Sequence, residues 1–437
     1  MRIAILGGGV AGVVLARELS RSNATIDLYE QQPALGGLQR SVEVNGLHYD
    51  IGSFLFPHDH ELLRTFPSLQ PHFVEIDHRS VVLTRHNSLD LYPMTMRGYL
   101  RDHTFGTILP DGISLLAAKL RHRRRDTMVA YVKYYLGDRV YRKSGLKAYI
   151  ERFYDTPDTD VDLAFALQRL DALPAECGLR RNIFRIVREA FNSRALEGGA
   201  WRCFIRPPQG FSFVYGIIEQ ELRHAGVHLL FNTPLERIER DRGAYLLYRA
   251  DGRAERYDAV VSTIPIGAAM GLIGRPMQRP PQGVGLVSLC YRFRGSLGFG
   301  DARILYNFTY DGLWKRINVF SSLYGQADGD DYFMVECTQR ERRHTAEDYR
   351  RDFEAHAARL PIFHGELRYQ GAIETENAYP YFRVSDMERT AAARAELKQF
   401  GIVLTGRQGT FAYQNAHITA LMARATAREM MGTPPER

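Results

Sequence analysis

A strand, glycine turn and helix at the N-terminus, a helical pattern over 58–204 and a strand-rich stretch over 285–397 predict an α/β protein. The expected architecture is a Rossmann-like dinucleotide-binding domain, a discontinuous helical substrate or cap region, and an antiparallel β-sheet substrate domain. The first is expected to be assembled from residues 1–57, 205–284 and 398–437, the second from 58–204, the third from 285–397.

The opening segment "MRIAILGGGVAGVVLARELS" carries the first of these signals. Ile3, Ile5 and Leu6 make a short buried strand, and Val13, Leu15, Ala16 and Leu19 give the next segment an apolar helical face. Gly7, Gly9 and Gly12 fit GxGxxG: the first permits a tight turn, the second lets a pyrophosphate approach the backbone, and the third lets helix and strand pack closely. The helix start then offers free N–H groups to phosphate. A second strand, "ATIDLYE", ends at Glu30, close to the roughly twenty-residue spacing expected of an acid that accepts hydrogen bonds from a ribose.

Farther on, "PALGGLQRSVEVNGLHYDIGSFLF" (33–56) adds the pair Gly36-Gly37, then Leu38, then two strands ending at Tyr49-Asp50-Ile51-Gly52. "RPPQGFSFVYGIIEQELRHAGVHLLFNTPLERIER" (206–240) reads as a helix ending near Gly226, a strand, and a turn at Asn232–Leu235 into another strand. "YDAVVSTIP" (257–265) is a buried strand broken by proline. "VGLVSLCYRF", "WKRINVFSSL" and "DYFMVECT" predict the antiparallel sheet. The last element, "GIVLTGRQGTFAYQNAHITALMARATAREMM", reads as strand, glycine turn and helix, with Gly406, Arg407 and Asn415 at a second anion-friendly helix start.

Composition excludes several classes. Hydrophobic content of 45% and charged content of 24% are those of a globular protein, and no apolar run nears the roughly 18 residues of a membrane span. The chain enters a strand at once, so a secretory leader is not expected and the cytoplasm is the expected compartment. Cys177, Cys203, Cys290 and Cys337 never form a CxxC pair, which predicts isolated reduced thiols without a metal site. Nucleic-acid signatures are missing. The net charge of +7 has its sharpest local source in "RHRRR" (121–125), read as a solvated face or as a contact for anionic lipid or phosphate.

Together, GxGxxG, the acid, GG and YDxG resemble the flavoproteins related to amine oxidases, protoporphyrinogen oxidases and UDP-galactopyranose mutases. The resemblance implies FAD as cofactor, with Gly7, Gly9, Gly12, Glu30, Gly36, Gly37, Leu38, Leu235, Gly406, Arg407 and Asn415 around it. "GRQGTFAYQNAHIT" looks like the terminal signature of the mutases, and "WKRINVFSSLYG", "AYPYF" and "AYIERFYDTPDTDVDLAFALQRL" resemble segments bordering their nucleotide-sugar site, with Tyr149, Arg152, Pro157 and Arg169 at corresponding steps. Carried over residue by residue, Arg169 and Arg316 would clamp a diphosphate, Tyr379 and Tyr413 would donate hydroxyls to it, and Arg407 would lie between flavin and substrate. No protein nucleophile or acid–base pair is expected, because the chemistry belongs to reduced flavin. Three positions depart from the mutase pattern: Ser53-Phe54 replaces a glycine–histidine pair, Tyr154 replaces a tryptophan, and His417 replaces an acid. The expected activity is a redox-neutral isomerisation of a nucleotide sugar or related diphosphate. The alternative is an oxidoreductase of the amine oxidase or desaturase type, with Phe54 and Tyr154 in an apolar pocket.

Overall fold

Arg2–Leu6 lies at the centre of a five-stranded parallel sheet in the computed structural model, which describes residues 1–92, 105–170, 201–340 and 343–432. The strand order is His228–Leu230, Thr25–Tyr29, Arg2–Leu6, Ala259–Ser262, Val403–Leu404. Ile3, Ala4 and Ile5 are fully buried, as expected of a parallel strand covered on both faces. The register sets Ile5 opposite Val261 and Val261 opposite Val403, so the last strand of the chain completes the sheet begun by the first. The helices that follow those two strands, Val10–Leu19 and Ala416–Met430, pack on each other.

The hairpin Arg40–Val44/Leu47–Ile51 turns on Asn45 and Gly46, both at positive φ, as an Asn-Gly two-residue loop requires. Its second strand carries Asp50, which pairs with Arg206 at 2.8 Å; both side chains are fully buried. Ser41 donates to the same carboxylate and accepts from the Phe211 N–H at 2.9 Å. Arg206 also donates to the carbonyls of Pro207 and Pro208 and lies over the Tyr324 ring at 4.2 Å. This pair bolts the hairpin to the start of helix Gly210–His224.

The second large sheet has seven strands, in the order Phe363–Pro380, Gly283–Leu297, Asp331–Gln339, Trp314–Val319, Ile304–Asn307, Ser80–Leu83, Leu89–Leu91. It is antiparallel except where Ile304–Asn307 runs parallel to Ser80–Leu83. The stretch 58–204, expected to be mainly helical, also holds strands among its described residues. Two strands of that stretch extend the large sheet, and Val74–His78 and Trp201–Ile205 form a smaller sheet with Leu55–Phe56. The apolar run "SVVL" is buried along its whole length, the pattern that periodicity cannot separate from a core helix. Cys203, Cys290 and Cys337 are buried free thiols; Cys177 lies outside the described residues.

Removing one partner of a buried pair strands the other charge. Arg206→Met is therefore expected to lower the unfolding free energy by about 3–5 kcal/mol. Urea unfolding checks this, and a loss below about 1 kcal/mol would mean that Asp50 needs no counter-charge.

Candidate functional site

The loops that leave the C-terminal ends of the parallel strands border a cavity of about 910 Å³. In open α/β sheets this is where ligands bind. Gly7, Gly9, Glu30, Gly36, Gly37, Leu38, Leu235 and Arg407 line it, which gathers most of the expected cofactor positions from four separate stretches of chain.

The glycines divide by what a side chain would meet. A Cβ on Gly12 would lie 1.9 Å from the Gly7 carbonyl oxygen, so this glycine sets helix–strand packing and does not face the cavity. A Cβ on Gly9 would meet nothing within 4 Å, which leaves the backbone open to a ligand. Gly9 caps the helix without a side-chain bond, and the first N–H groups of Val10–Leu19 have no acceptor inside the helix. Gly36 sits at φ +117°, and its N–H donates to the Gly8 carbonyl at 2.9 Å, seating the second glycine loop on the first. Glu30 accepts from the N–H of Gly8 at 2.7 Å and of Gln32 at 2.9 Å. A carboxylate has about four acceptor positions, so about two stay open toward a diol. Backbone donors at one step and a carboxylate at another together fit a dinucleotide.

At the other end of the chain the expectation of a glycine turn gives way to a short helix, Gly406–Thr410. A Cβ on Gly406 would come 2.7 Å from the Ala11 Cβ, so this residue fixes the approach of the two termini and does not line the cavity. Asn415 also stays out of the lining; its side chain accepts from the Ile418 N–H at 2.9 Å and caps helix Ala416–Met430. Its neighbours Gln414, Ala416 and Thr419 line the cavity instead. His417 accepts from the Glu61 N–H at 3.1 Å.

Arg407 is half-buried and donates to the carbonyls of Ala378 and Gln414. It forms no ion pair among the described residues, and its guanidinium lies 5.3 Å from the centre of the Tyr379 ring. Tyr379 and Tyr413 stack almost parallel at 6.1 Å. Lys315, 1% exposed, holds its ammonium 4.4 Å from the Tyr379 ring centre, 4.8 Å from that of Phe153 and 3.0 Å from Glu336 Oε2. Arg316 pairs with Glu336 Oε1 at 2.6 Å, and the register places the two residues directly opposite on adjacent strands. Asn318 donates to the same oxygen at 2.8 Å. Two cations and an amide thus share one carboxylate, and Arg316 Nε is buried without a hydrogen-bond partner among the described residues.

None of the expected substrate contacts Arg316, Tyr379, Tyr413, Phe54 and Tyr154 lines the 910 Å³ cavity. Phe54 is 3% exposed and packs against Phe320, while Tyr154 is fully buried between Phe153, Phe165 and Tyr381; neither lines the cavity. Both are packed into aromatic clusters of the core. Arg152 donates to the carbonyls of Asn307, Thr309, Asp311 and Gly312, holding that loop in place. Arg169 ends helix Leu163–Arg169, and its side chain lies outside the described residues. Sequence reading missed Lys315, Glu336 and Gln414. An acid inside the apolar run "YFMVECT", and a lysine adjoining Arg316, were the visible signals for two of them.

Burial alone raises the pKa of the Glu336 carboxyl, but the charges of Arg316 and Lys315 outweigh it and hold the group at about 2, below its ordinary 4.5. A carboxyl depressed by folding stabilises the fold fully above its ordinary value, and this is lost as pH falls through the folded value. The stability advantage of the native chain over Glu336→Gln should therefore shrink as pH falls from about 4.5 toward 2, in unfolding titrations across that range. A constant difference would contradict the ion-pair account.

Comparison with known proteins agrees with this geometry. The chain matches the family model of flavin-containing amine oxidoreductases over residues 10–293. It is 44% identical over 66 residues to protoporphyrinogen oxidase of Schizosaccharomyces pombe, a match covering 15% of this chain and 14% of that protein. Superposition on a reduced UDP-galactopyranose mutase gives a TM-score of 0.73 at 17% identity, covering 99% of this chain and 94% of the mutase. A putrescine oxidase variant redesigned in cofactor binding gives 0.65 at 13% identity, with 99% and 98% covered. These two likenesses are of fold, shared by a mutase and an oxidase alike. The family model covers more than half of the chain and includes Glu30 and the Gly36-Gly37 loop, so the chain is an FAD-dependent enzyme and belongs to the family of flavin-containing amine oxidoreductases.

Proposed function

We propose that the protein acts through FAD on an anionic substrate, a nucleotide sugar or related diphosphate, in an isomerisation of the mutase kind. The observation that carries this reading is the excess of positive charge at Lys315 and Arg316, which share the single carboxylate Glu336, and at Arg407, which forms no ion pair among the described residues. A dianionic phosphate group would balance that excess, and in a partly dry cleft such pairs bind far better than in water.

In this reading Gly7, Gly9, Gly36 and Gly37 give the dinucleotide phosphates access to backbone N–H groups, and Glu30 takes the ribose. Arg407 orients substrate phosphate against the flavin, and Tyr379 and Tyr413 supply hydroxyl donors. Lys315 and Glu336 hold Arg316 in place, leaving Nε for the ligand. Reduced flavin, when bound, supplies the nucleophile for the sugar's anomeric carbon.

A second reading, hydride removal from an amine or a carbon skeleton, is favoured by the aromatic wall of Phe153, Phe165, Tyr379 and Tyr413. Against an amine stands Lys315, whose ammonium already occupies the space between two rings and a carboxylate where a substrate amine would be recognised. Anaerobic mixing separates the readings: an oxidisable substrate bleaches the flavin, whereas an isomerised one leaves it reduced only if reductant was supplied.

Gly9→Ala is expected to fold normally yet lose about tenfold or more in FAD affinity, because its methyl enters open space needed by phosphate, whereas Gly12→Ala should also lower the melting temperature of the apoprotein. FAD titration and thermal unfolding distinguish the two. For substrate, UDP- or GDP-sugars should perturb the flavin spectrum, and Arg407→Gln should weaken that binding about tenfold or more. Silence toward both sugars in both redox states would sink the diphosphate reading.

A further inference from the structure

Helix Phe105–Arg121 is mounted inside out. Leu109, Ile113, Leu116 and Leu120, spaced four, three and four apart, form one stripe, and they are 61, 61, 59 and 75% exposed. The opposite face carries its most polar residue inward. Asp111 is 4% exposed, bonded to Lys143 at 2.9 and 3.0 Å and to Arg139 at 2.9 Å. Ser114 accepts from the Arg139 N–H at 3.2 Å, and a Cβ on Gly137 would lie 2.9 Å from the Leu115 backbone, so this face is docked closely. Rotating the helix to bury the leucines would strand Asp111, Arg139 and Lys143; the outward stripe is fixed by ion pairs on the far side.

The stripe runs directly into "KLRHRRRD", residues 119–126. Lys119 and Arg125 lie over the Tyr134 ring, at 4.6 and 4.9 Å, while Arg121, Arg123 and Arg124 are exposed and form no ion pair among the described residues. Asp126 is the single acid in that run.

We infer that this helix is a peripheral docking surface for an anionic lipid membrane, lying in the interface with its leucines among the acyl chains and its arginines at the headgroups. From Leu109 to Leu120 the stripe spans about 16 Å, long enough for interfacial seating. No helix among the described residues is long and apolar enough to cross a membrane, so the attachment is to one leaflet. Long basic side chains at the end of an apolar stripe reach headgroup phosphates while their stems stay in the interface. A fluid surface needs no shaped partner, which suits a single narrow stripe of four exposed side chains. A second copy of the chain would bring another cluster of arginines with one acid between them.

The test uses the full-length FAD-loaded protein and vesicles of phosphatidylcholine alone or with about one-third phosphatidylglycerol, at about 0.1 M salt. Flotation should show at least about tenfold stronger association with the anionic vesicles, weakening as salt rises. Leu116→Ser with Leu120→Ser, and separately Arg123→Glu with Arg124→Glu, should each reduce association about tenfold or more while the flavin spectrum stays unchanged. The inference is overturned if the native protein fails to float, if either paired variant floats like the native protein, or if sedimentation shows self-association that the serine pair abolishes.

Discussion

Gly406 has no room for a side chain, because the Ala11 Cβ would lie 2.7 Å from its own. That close approach lets the last strand join the sheet of the first, and it brings Arg407, Gln414 and Ala416 to the rim of the cavity that Gly7 and Gly9 open. Gly12 meets the same demand inside the first unit, where its Cα faces the Gly7 carbonyl. Two close approaches, one to the Gly7 carbonyl and one to the Ala11 methyl, each depend on a missing Cβ beside the cavity. Everything that recognises a ligand there depends on them.

The substrate side is organised by charge. Glu336 offsets Arg316 and Lys315 in the second sheet, and Arg407 arrives from the first without a carboxylate partner among the described residues. Burying two cations against one acid costs desolvation energy, and stability alone gives no reason for Arg407 to lack an ion pair among the described residues. An arrangement of that kind points to a ligand that completes it. Tyr379 physically couples the two halves, lying against Lys315 on the sheet side and Arg407 on the cavity side.

The nucleotide-binding half was legible because its constraints are local. A glycine needed at positive φ, a helix start and an acid one strand away are written within about forty residues of chain. The chamber was not, because its roles arise from register across strands. Arg316 was found on the right strand, yet its pairing with Glu336 depends on a cross-strand alignment that residue spacing does not reveal. Asn415 was assigned to the cofactor from its place in a motif, whereas an Asn three residues before a free helix N–H satisfies that N–H first. Phe54 and Tyr154 went into the core because large aromatic rings find packing partners when neighbours offer them. The buried pair Asp50–Arg206 joins residues 156 apart and had no sequence signal beyond the YDIG and RPPQG segments themselves.

The central claim is that both ends of the chain close on one FAD. The measurement that tests it most directly is the FAD dissociation constant of Gly406→Leu beside that of the native protein, with folding of each checked by circular dichroism. Since Gly406 touches the first helix and not the cavity, a folded variant should bind FAD about tenfold or more weakly, by forcing the termini apart. A folded variant with native affinity would contradict the account, because the C-terminal element would then have no part in holding the flavin.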